Sequence, residues 1–408
     1  MRAPRPHELD AVLGVNDAAF LAPLPPAERS RARATFAQGA MRVGAIEDEV
    51  VGVATHLELA LTLPGAEIAR ARGLSSIAVL PTRRRQGVLR ALVTDALAAA
   101  ADAREPLCVL HASESAIYGR FGFGPCTYAA SYELACPAAL APTPSPGRLH
   151  LFSRSEALAC FPAVFDAYRR TRAGEVERDR SWWEATFPAE APAGAPARFF
   201  VAYDAGGRID GYACYDVPAP GGDALARLDG GLARRRAHVV ELVALDSSAR
   251  CALWSYLLHL DLVDTVTTGA RPVDEPLRHL LVDGRALRTV AVSDQLWCRV
   301  VDVGAALAAR RYTGPGRLVL ALTDELRPEN SGTFSLECDP GGSGRVRRAE
   351  EAPSLECGVA ALSAALCGGT SWGTLAAAGR VRERVPGACE RADQLFLTRP
   401  APFCTPDF

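Results

Sequence analysis

The densest group of chemically capable side chains is Arg83-Arg84-Arg85-Gln86-Gly87, which stands directly ahead of an apolar stretch. Val88, Leu89, Leu92, Val93, Ala96, Leu97 and Ala100 recur at three- and four-residue intervals, so residues 87–101 read as a helix with one apolar face on a sheet. A helix starting at this loop directs several backbone N–H groups and the positive end of its dipole at one place, which is an anion site. Gly87 lets a phosphate approach the backbone, and the arginines Arg83, Arg84 and Arg85 add charge-assisted hydrogen bonds. Cations work against the dipole at this end of a helix, so a bound polyanion explains the cluster better than fold stability does; the competing reading is a solvated arginine patch. Just upstream, Ile77-Ala78-Val79 is a strand with which an extended ligand arm could pair as an added strand. Phosphates at the loop and an amide-bearing arm on the strand together fit coenzyme A. A dinucleotide site would need Gly-x-Gly-x-x-Gly and a nucleotide triphosphatase Gly-Lys-Ser/Thr, and both are missing.

These groups need elements to position them. Residues 74–79 form the strand into the loop, 106–111 a second strand, 115–120 a short helix and 127–134 a closing strand; two short helices before residue 36 and strands at 41–46 and 50–61 come first. The β-α-β unit around residues 74–111 demands parallel pairing. A second segment repeats the order, with strands at 198–203, 208–216 and 238–244, a helix at 249–260, a strand at 263–267 and a helix at 275–282, which indicates an internal duplication. In this copy Asp246-Ser-Ser-Ala-Arg-Cys251 replaces the arginine and glycine loop. A third segment has strands at 318–322 and 332–338, a helix at 354–367, a Trp-containing piece at 370–379 and a last helix near 390–395.

The proline-rich stretch 136–147 reads as an interdomain linker, and the domains are expected at 1–143, 148–303 and 304–408. A length of 408 residues suits two or three such domains. With 23% charged and 49% hydrophobic residues the chain is globular, and a formal net charge of -2 offers no basic field for nucleic acid. No apolar run of bilayer length and no signal-like N-terminus is present, so a cytoplasmic protein without a membrane partner is expected. The 12 cysteines are scattered without CxxC pairs or metal-like spacing to the histidines, so buried thiols and no metal are expected.

The loop Arg84-Arg85-Gln86-Gly87-Val88-Leu89 resembles the motif Arg/Gln-x-x-Gly-x-Gly/Ala of the GNAT acetyltransferases, with Leu89 in place of the final small residue. Residues 111–125, His-Ala-Ser-Glu-Ser-Ala-Ile-Tyr-Gly-Arg-Phe-Gly-Phe-Gly-Pro, resemble the signature of the actinobacterial enhanced-intracellular-survival (Eis) type N-acetyltransferases, and the resemblance runs along the whole chain. It implies an α+β fold of tandem GNAT-like domains with mixed sheets, the second lacking cofactor, then a sterol-carrier-protein-like α/β domain. It further implies a hexamer that acetylates several amines of aminoglycoside antibiotics from acetyl-CoA, hence an acyltransferase conferring antibiotic resistance. Its cofactor contacts fall on Ile77, Ala78, Val79, Arg85, Gln86, Gly87, Val88, Leu89, Arg90, Ser113 and Glu114, with Arg84 alongside. Its general acid falls on Tyr118 and its general base on the main-chain carboxylate of Phe408. A phenol suits protonation of a departing thiolate if held close and tuned, and a base is needed because the acceptor amine arrives mostly protonated. Without the resemblance, Tyr118 reads as a structural aromatic beside Phe121 and Phe123, and Phe408 as a frayed end.

A polycationic acceptor wants acidic walls, for which Asp407 and Glu114 are candidates, with Phe20 as a further lining residue. His111 reads as a structural strand-end histidine, and Trp182, Trp183 and Trp372 as core or subunit-interface anchors. Two other functions stay open: acetylation of protein lysines or polyamines, and, in a different class, a lipid or sterol carrier built on the third domain.

Overall fold

Alternating apolar and polar residues over 41–79 produce three consecutive strands. In the computed structural model these are β1 (Met41–Ile46), β2 (Glu49–Leu63) and β3 (Glu67–Val79), an antiparallel meander. The structure describes the chain apart from residues 22, 24–28, 31, 34–35, 37–39, 143–145, 190–193, 219–234 and 406–407. The second of the two helices expected before residue 36 falls largely on these; the first is α1 (Leu9–Phe20).

The chain divides into two units. The first comprises Met1–Thr127, Arg172–Glu177 and Asp294–Phe408. In it, α2 (Val88–Asp102) is the crossover from β3 to the parallel strand β4 (Leu107–His111). The six-stranded sheet, in the order β1-β2-β3-β4-β14-β5, is completed by β5 (Gly124–Pro125) and β14 (Leu296–Val300). Val12 and Val15 of α1 pack on Val43, Val50 and Val53, while Val88 and Leu92 of α2 pack on Val51 and Ala54. Each apolar stripe leaves water against the sheet, which is what orders these helices.

The same unit holds a five-stranded sheet, β17-β16-β15-β18-β19, made of β15 (Gly316–Thr323), β16 (Gly332–Cys338), β17 (Gly344–Arg348), β18 (Leu355–Gly358) and β19 (Val381–Glu383). Residues 354–367, expected as one helix, are strand β18 followed by a helix from Val359 to Ala365. Arg299 on β14 donates from Nη2 to both carboxylate oxygens of Asp324 at 2.7 Å, with both side chains fully buried. A buried pair of this kind is strongly destabilising to break, since either half left alone is an uncompensated charge.

The second unit, Tyr128–Thr171 and Arg178–Ser293, carries an eight-stranded sheet in the order β12-β6-β11-β10-β9-β8-β7, with a further strand, β13, on β6. The strands are β6 (Tyr128–Ala135), β7 (Arg148–Phe152), β8 (Ala197–Asp204), β9 (Ile209–Val217), β10 (Arg235–Ala244), β11 (Val263–Thr268), β12 (Arg271–Pro272) and β13 (Leu287–Asp294). Two expectations need correcting. The strand expected to close the first sheet is β6, a member of the second sheet, and the proline-rich stretch therefore links two strands of one sheet, β6 and β7. Alternation alone cannot say which sheet a strand joins, and β14 takes the place in the first sheet that β6 was expected to fill. The helix expected at 275–282 is a single turn, Leu277–Leu280.

Trp182, Trp183 and Trp372 are buried, as are eleven of the twelve cysteines, Cys160 being half-buried. Among the described residues no helix is long and apolar enough to cross a membrane.

His56 on β2 is buried with Nε2 unpartnered, and burial, reinforced by Arg42 and Arg72, lowers its pKa to about 4. A histidine kept neutral in the fold but protonated when unfolded makes stability fall as pH drops from about 6.5 toward 4. The loss should reach about 2 kcal/mol by pH 5. Urea titrations at pH 7.5 and pH 5 check this: His56→Leu should lose that much less between the two pH values, and equal losses would remove the account.

Candidate active site

The parallel ladder between β3 and β4 runs only from Ala71 opposite Leu107 to Leu74 opposite Leu110. Just beyond, Ser76 takes a φ of 49° and Ser76-Ile77 bulge opposite Ala54 of β2. The parallel ladder has already stopped before this bulge, and past it a cleft of about 780 Å³ opens, lined by Ile77, Ala78 and Val79 of β3 together with Ser113, Glu114, Ile117 and Tyr118. Strand backbone without a strand beside it needs another hydrogen-bonding partner.

The loop at the far end of β3 has the geometry of an anion cradle. Arg85 has a φ of 63° and Gly87, the residue that starts α2, a φ of 81°. Left-handed residues alternating with ordinary ones turn successive N–H groups toward a common point. The helix start has no side-chain cap, so its first N–H groups remain available. A Cβ placed on Gly87 would meet nothing within 4 Å; glycine is held there by its dihedral, and the space above the loop is open. A left-handed conformation costs a residue such as Arg85 about 1–2 kcal/mol, a strain that concentrates at ligand clamps.

Arg83 is engaged by Glu49 at 2.5 Å, whereas Arg84, Arg85 and Arg90 line the cleft, exposed and without an acidic partner among the described residues. Val88 and Leu89 line it as well, and Leu89 also packs against the core that contains Tyr118. Gln86 is exposed and does not line the cleft. Arg120, absent from the sequence reading although it stands two residues after Tyr118 in the same motif, adds a further cation to the wall.

Tyr118 ends the short helix α3 (Ser115–Tyr118) and is buried against Phe121 and Phe123, with the Phe123 ring edge-on at 6.0 Å. Burial, with a smaller push from the charge of Glu114, raises its pKa to about 12. Tyr118, Phe20, Ile77 and Ser113 also line a second, smaller cleft of about 300 Å³ together with Leu74, Ser75, Ser76, His111, Ala112 and Phe408. The Phe408 ring stands edge-on to the His111 ring at 4.8 Å. The fold thus brings together Tyr118, Phe20 and Phe408, which are far apart in the chain. His111 lies at their side, a placement that nothing in its local sequence signals. Asp407 lies outside the described residues.

The duplicated copy shows how such a groove is closed. Its ladder between β10 and β11 ends at Val239 opposite Thr268, and the register against β9 slips at Val240, next to this end, much as it does at Ser76. Leu242 stands three residues past the last pair, as Ile77 stands three past Leu74. Its carbonyl accepts a 2.7 Å hydrogen bond from Arg271 Nη1, while Nη2 of the same buried guanidinium holds Glu275 at 2.7 Å. The corresponding helix, Ser247–Leu258, is capped by Asp246, whose carboxylate accepts from the Ala249 N–H at 2.8 Å. A carboxylate therefore occupies the helix end that stays open at Gly87.

An uncapped helix behind a strand that loses its neighbour, with cations around the opening, suits a ligand with phosphates and an extended amide-bearing arm, as an acyl-CoA has. Residues 1–126 and 174–300 each match a model of the acetyltransferase (GNAT) domain, and residues 303–405 match a sterol carrier protein domain. The chain is an N-acetyltransferase of α+β architecture, two GNAT domains followed by a sterol-carrier-like domain. It belongs to the Eis family: it is 35% identical over 363 residues to N-acetyltransferase Eis of Mycobacterium tuberculosis, a match covering 86% of this chain and 84% of that one. An uncharacterized N-acetyltransferase of Streptomyces griseus is 34% identical over 355 residues, 84% of this chain and 83% of that one. The crystal structure of Eis1 from Mycobacterium abscessus is similar over 100% of this chain and 99% of its own, with a TM-score of 0.87 and 32% identity. GNAT domains generally use acetyl-CoA, and the cradle and cations described above fit its phosphates.

Replacing Gly87 with valine forces a β-branched residue into a left-handed conformation and reshapes the cradle. The KM for acetyl-CoA should rise at least tenfold, with a loss of stability limited to about 1–3 kcal/mol, the cost of such backbone strain. Steady-state kinetics with acetyl-CoA varied checks this, and an unchanged KM would detach the loop from cofactor binding.

Proposed function

We propose that the chain transfers the acetyl group of acetyl-CoA directly to amino groups of polycationic small molecules, aminoglycosides first among them, within a ternary complex. The observation that carries this reading is that Tyr118 and Phe408 line one small cleft that shares four lining residues with the arginine-bordered one. The backbone of Ile77, Ala78 and Val79 pairs with the pantetheine amides, and the Gly87 cradle with Arg84, Arg85 and Arg90 takes the phosphates. Val88, Leu89, Ser113 and Glu114 complete the cofactor wall; Gln86 has a weaker place there, being outside the cleft lining.

The main-chain carboxylate of Phe408 takes one proton of the acceptor ammonium and passes it to solvent, the freed amine attacks the thioester carbonyl as the carbon–sulfur bond breaks, and the acylated nitrogen gives up its second proton to the same carboxylate as the amide forms. Tyr118 faces the sulfur. Burial holds its phenol protonated, with a pKa pushed up to about 12, so it serves as the general acid that donates to the sulfur as charge builds there; the departing thiolate takes this proton and the phenolate is reprotonated from solvent. Phe20 borders the acceptor end, with Glu114 and, by its place in the sequence, Asp407 supplying negative charge.

The resemblance supports the aminoglycoside acceptor, a role in antibiotic resistance, a cytoplasmic location and a homohexamer, which sedimentation would test. A lipid-carrier reading has a charged centre against it. Within the sterol-carrier-like domain Arg310 is buried, donating to the carbonyls of Leu366 and Phe396 beneath the Tyr312 and Phe396 rings. A carrier needs apolar space instead.

Mass analysis after incubation with acetyl-CoA and an aminoglycoside, a polyamine or a lysine peptide should show multiply acetylated aminoglycoside; inertness toward it would refute this acceptor class. Tyr118→Phe should lower kcat by about 10²-fold or more with the KM for acetyl-CoA nearly unchanged. Because the Tyr118 phenol stays protonated, the pH–rate profile should show no basic limb from it below about pH 11. Adding two glycines after Phe408 should abolish turnover but not cofactor binding, and full turnover would remove the Phe408 carboxylate as base.

A further inference from the structure

The placement of Phe408 depends on a segment distant in sequence, Arg172–Glu177, which is embedded in the first unit. β1 pairs β2 only as far as Thr55, so the outer edge of β2 beyond it lacks that strand. Thr62 N–H donates to Glu175 O at 2.8 Å, Gly174 N–H to Thr62 O at 2.8 Å and Glu177 N–H to Ala60 O at 3.1 Å, so the segment adds itself to that edge as a short antiparallel strand. Its other side grips the C-terminal tail. Arg172 Nη1 donates to Ala401 O at 2.7 Å, and Phe403 N–H donates to Ala173 O at 2.9 Å. Gly174, at φ 92°, lets the Phe403 carbonyl approach so closely that a Cβ there would sit 2.9 Å from its oxygen.

The last grip is made by a side chain. Glu175 is completely buried, and its carboxylate accepts two hydrogen bonds from one residue: Thr405 N–H to Oε2 at 2.9 Å and Thr405 Oγ1–H to Oε1 at 2.5 Å. Thr405 is three residues from Phe408, so fixing it confines the Phe408 main chain to within about 10 Å. Phe403 and Cys404 are buried beside it, with Cys404 Sγ 3.9 Å from His111 Nε2, and the Phe408 ring meets the same imidazole.

We propose that Glu175 is a positioning residue for the acetyl transfer: through Thr405 it sets Phe408 in the cleft shared with Tyr118. The inference rests on the proposed role of that cleft in acetyl transfer. Hydrogen bonds to a carboxylate are stronger than neutral ones, and a buried one left with a missing donor is penalised further, so the pair holds the tail against fraying. Glu175 touches no reacting atom. Its effect should therefore appear in acceptor turnover and not in the binding of acetyl-CoA, whose cleft it does not line.

The test uses the full chain with an aminoglycoside acceptor. Thr405→Val removes the hydroxyl donor and keeps the N–H; Thr405→Ser restores the donor; Glu175→Leu removes both acceptors. Thr405→Val should lower kcat about tenfold with the KM for acetyl-CoA within twofold of wild type, Thr405→Ser should recover wild-type kcat, and Glu175→Leu should fall further. Wild-type kcat in Thr405→Val, or a decrease that Thr405→Ser fails to reverse, would overturn the assignment. The extended chain alone judges the Phe408 carboxylate, so failure of the positioning role and failure of the base read out separately.

Discussion

Two parallel strands that stop pairing part-way along leave backbone N–H and C=O groups needing another partner, and this constraint organises the molecule. The first sheet releases its ladder after Leu74 and Leu110, the bulge at Ser76 turns the strand, and Ile77, Ala78 and Val79 then border a cleft. The second sheet meets the same constraint internally. Arg271 donates to the Leu242 carbonyl and Asp246 caps the helix, so the groove and the anion site are both occupied by the protein's own groups. One architecture thus yields an open seat and a closed one, and the difference lies in a few side chains.

The open seat also meets the far end of the chain, because Phe408 lines the smaller cleft with Tyr118. Phe408 reaches Tyr118 because the third segment is tied to the first sheet: β14 lies between β4 and β5, and the Arg299–Asp324 pair joins that strand to the residues after β15. The Arg172–Glu177 strand then holds the tail itself. The two clefts share Phe20, Ile77, Ser113 and Tyr118, while only the smaller one is lined by His111 and Phe408.

The parts legible in the sequence are those whose cause is local. The stripe from Val88 to Ala100 is written in its spacing, the missing cap in Gly87, and the degenerate copy in Asp246, where the arginine loop gives way to a residue that caps a helix. Tyr118 and Phe408 became candidates by resemblance, because neither a tyrosine among phenylalanines nor a terminal residue announces a role. What could not be read has long-range causes. Alternation marks residues 127–134 as a strand without naming the sheet it joins: it lies in the second sheet, and β14, for which no element was expected, stands between β4 and β5 in the first. Arg172-Ala-Gly-Glu-Val-Glu177 carries no strong strand pattern; it is ordered by the open edge of β2 and by the tail. Arg271 looks like any surface arginine until the Leu242 carbonyl and Glu275 are seen around it.

The claim that the open ladder and uncapped helix form the cofactor seat, while the second copy is filled from within, is tested most directly by the stoichiometry of coenzyme A binding in a calorimetric titration of the full chain. The account predicts one site per chain, retained when Arg271 is left intact and lost together with the Gly87 cradle. Two sites per chain, or one site that survives destruction of the cradle, would contradict it.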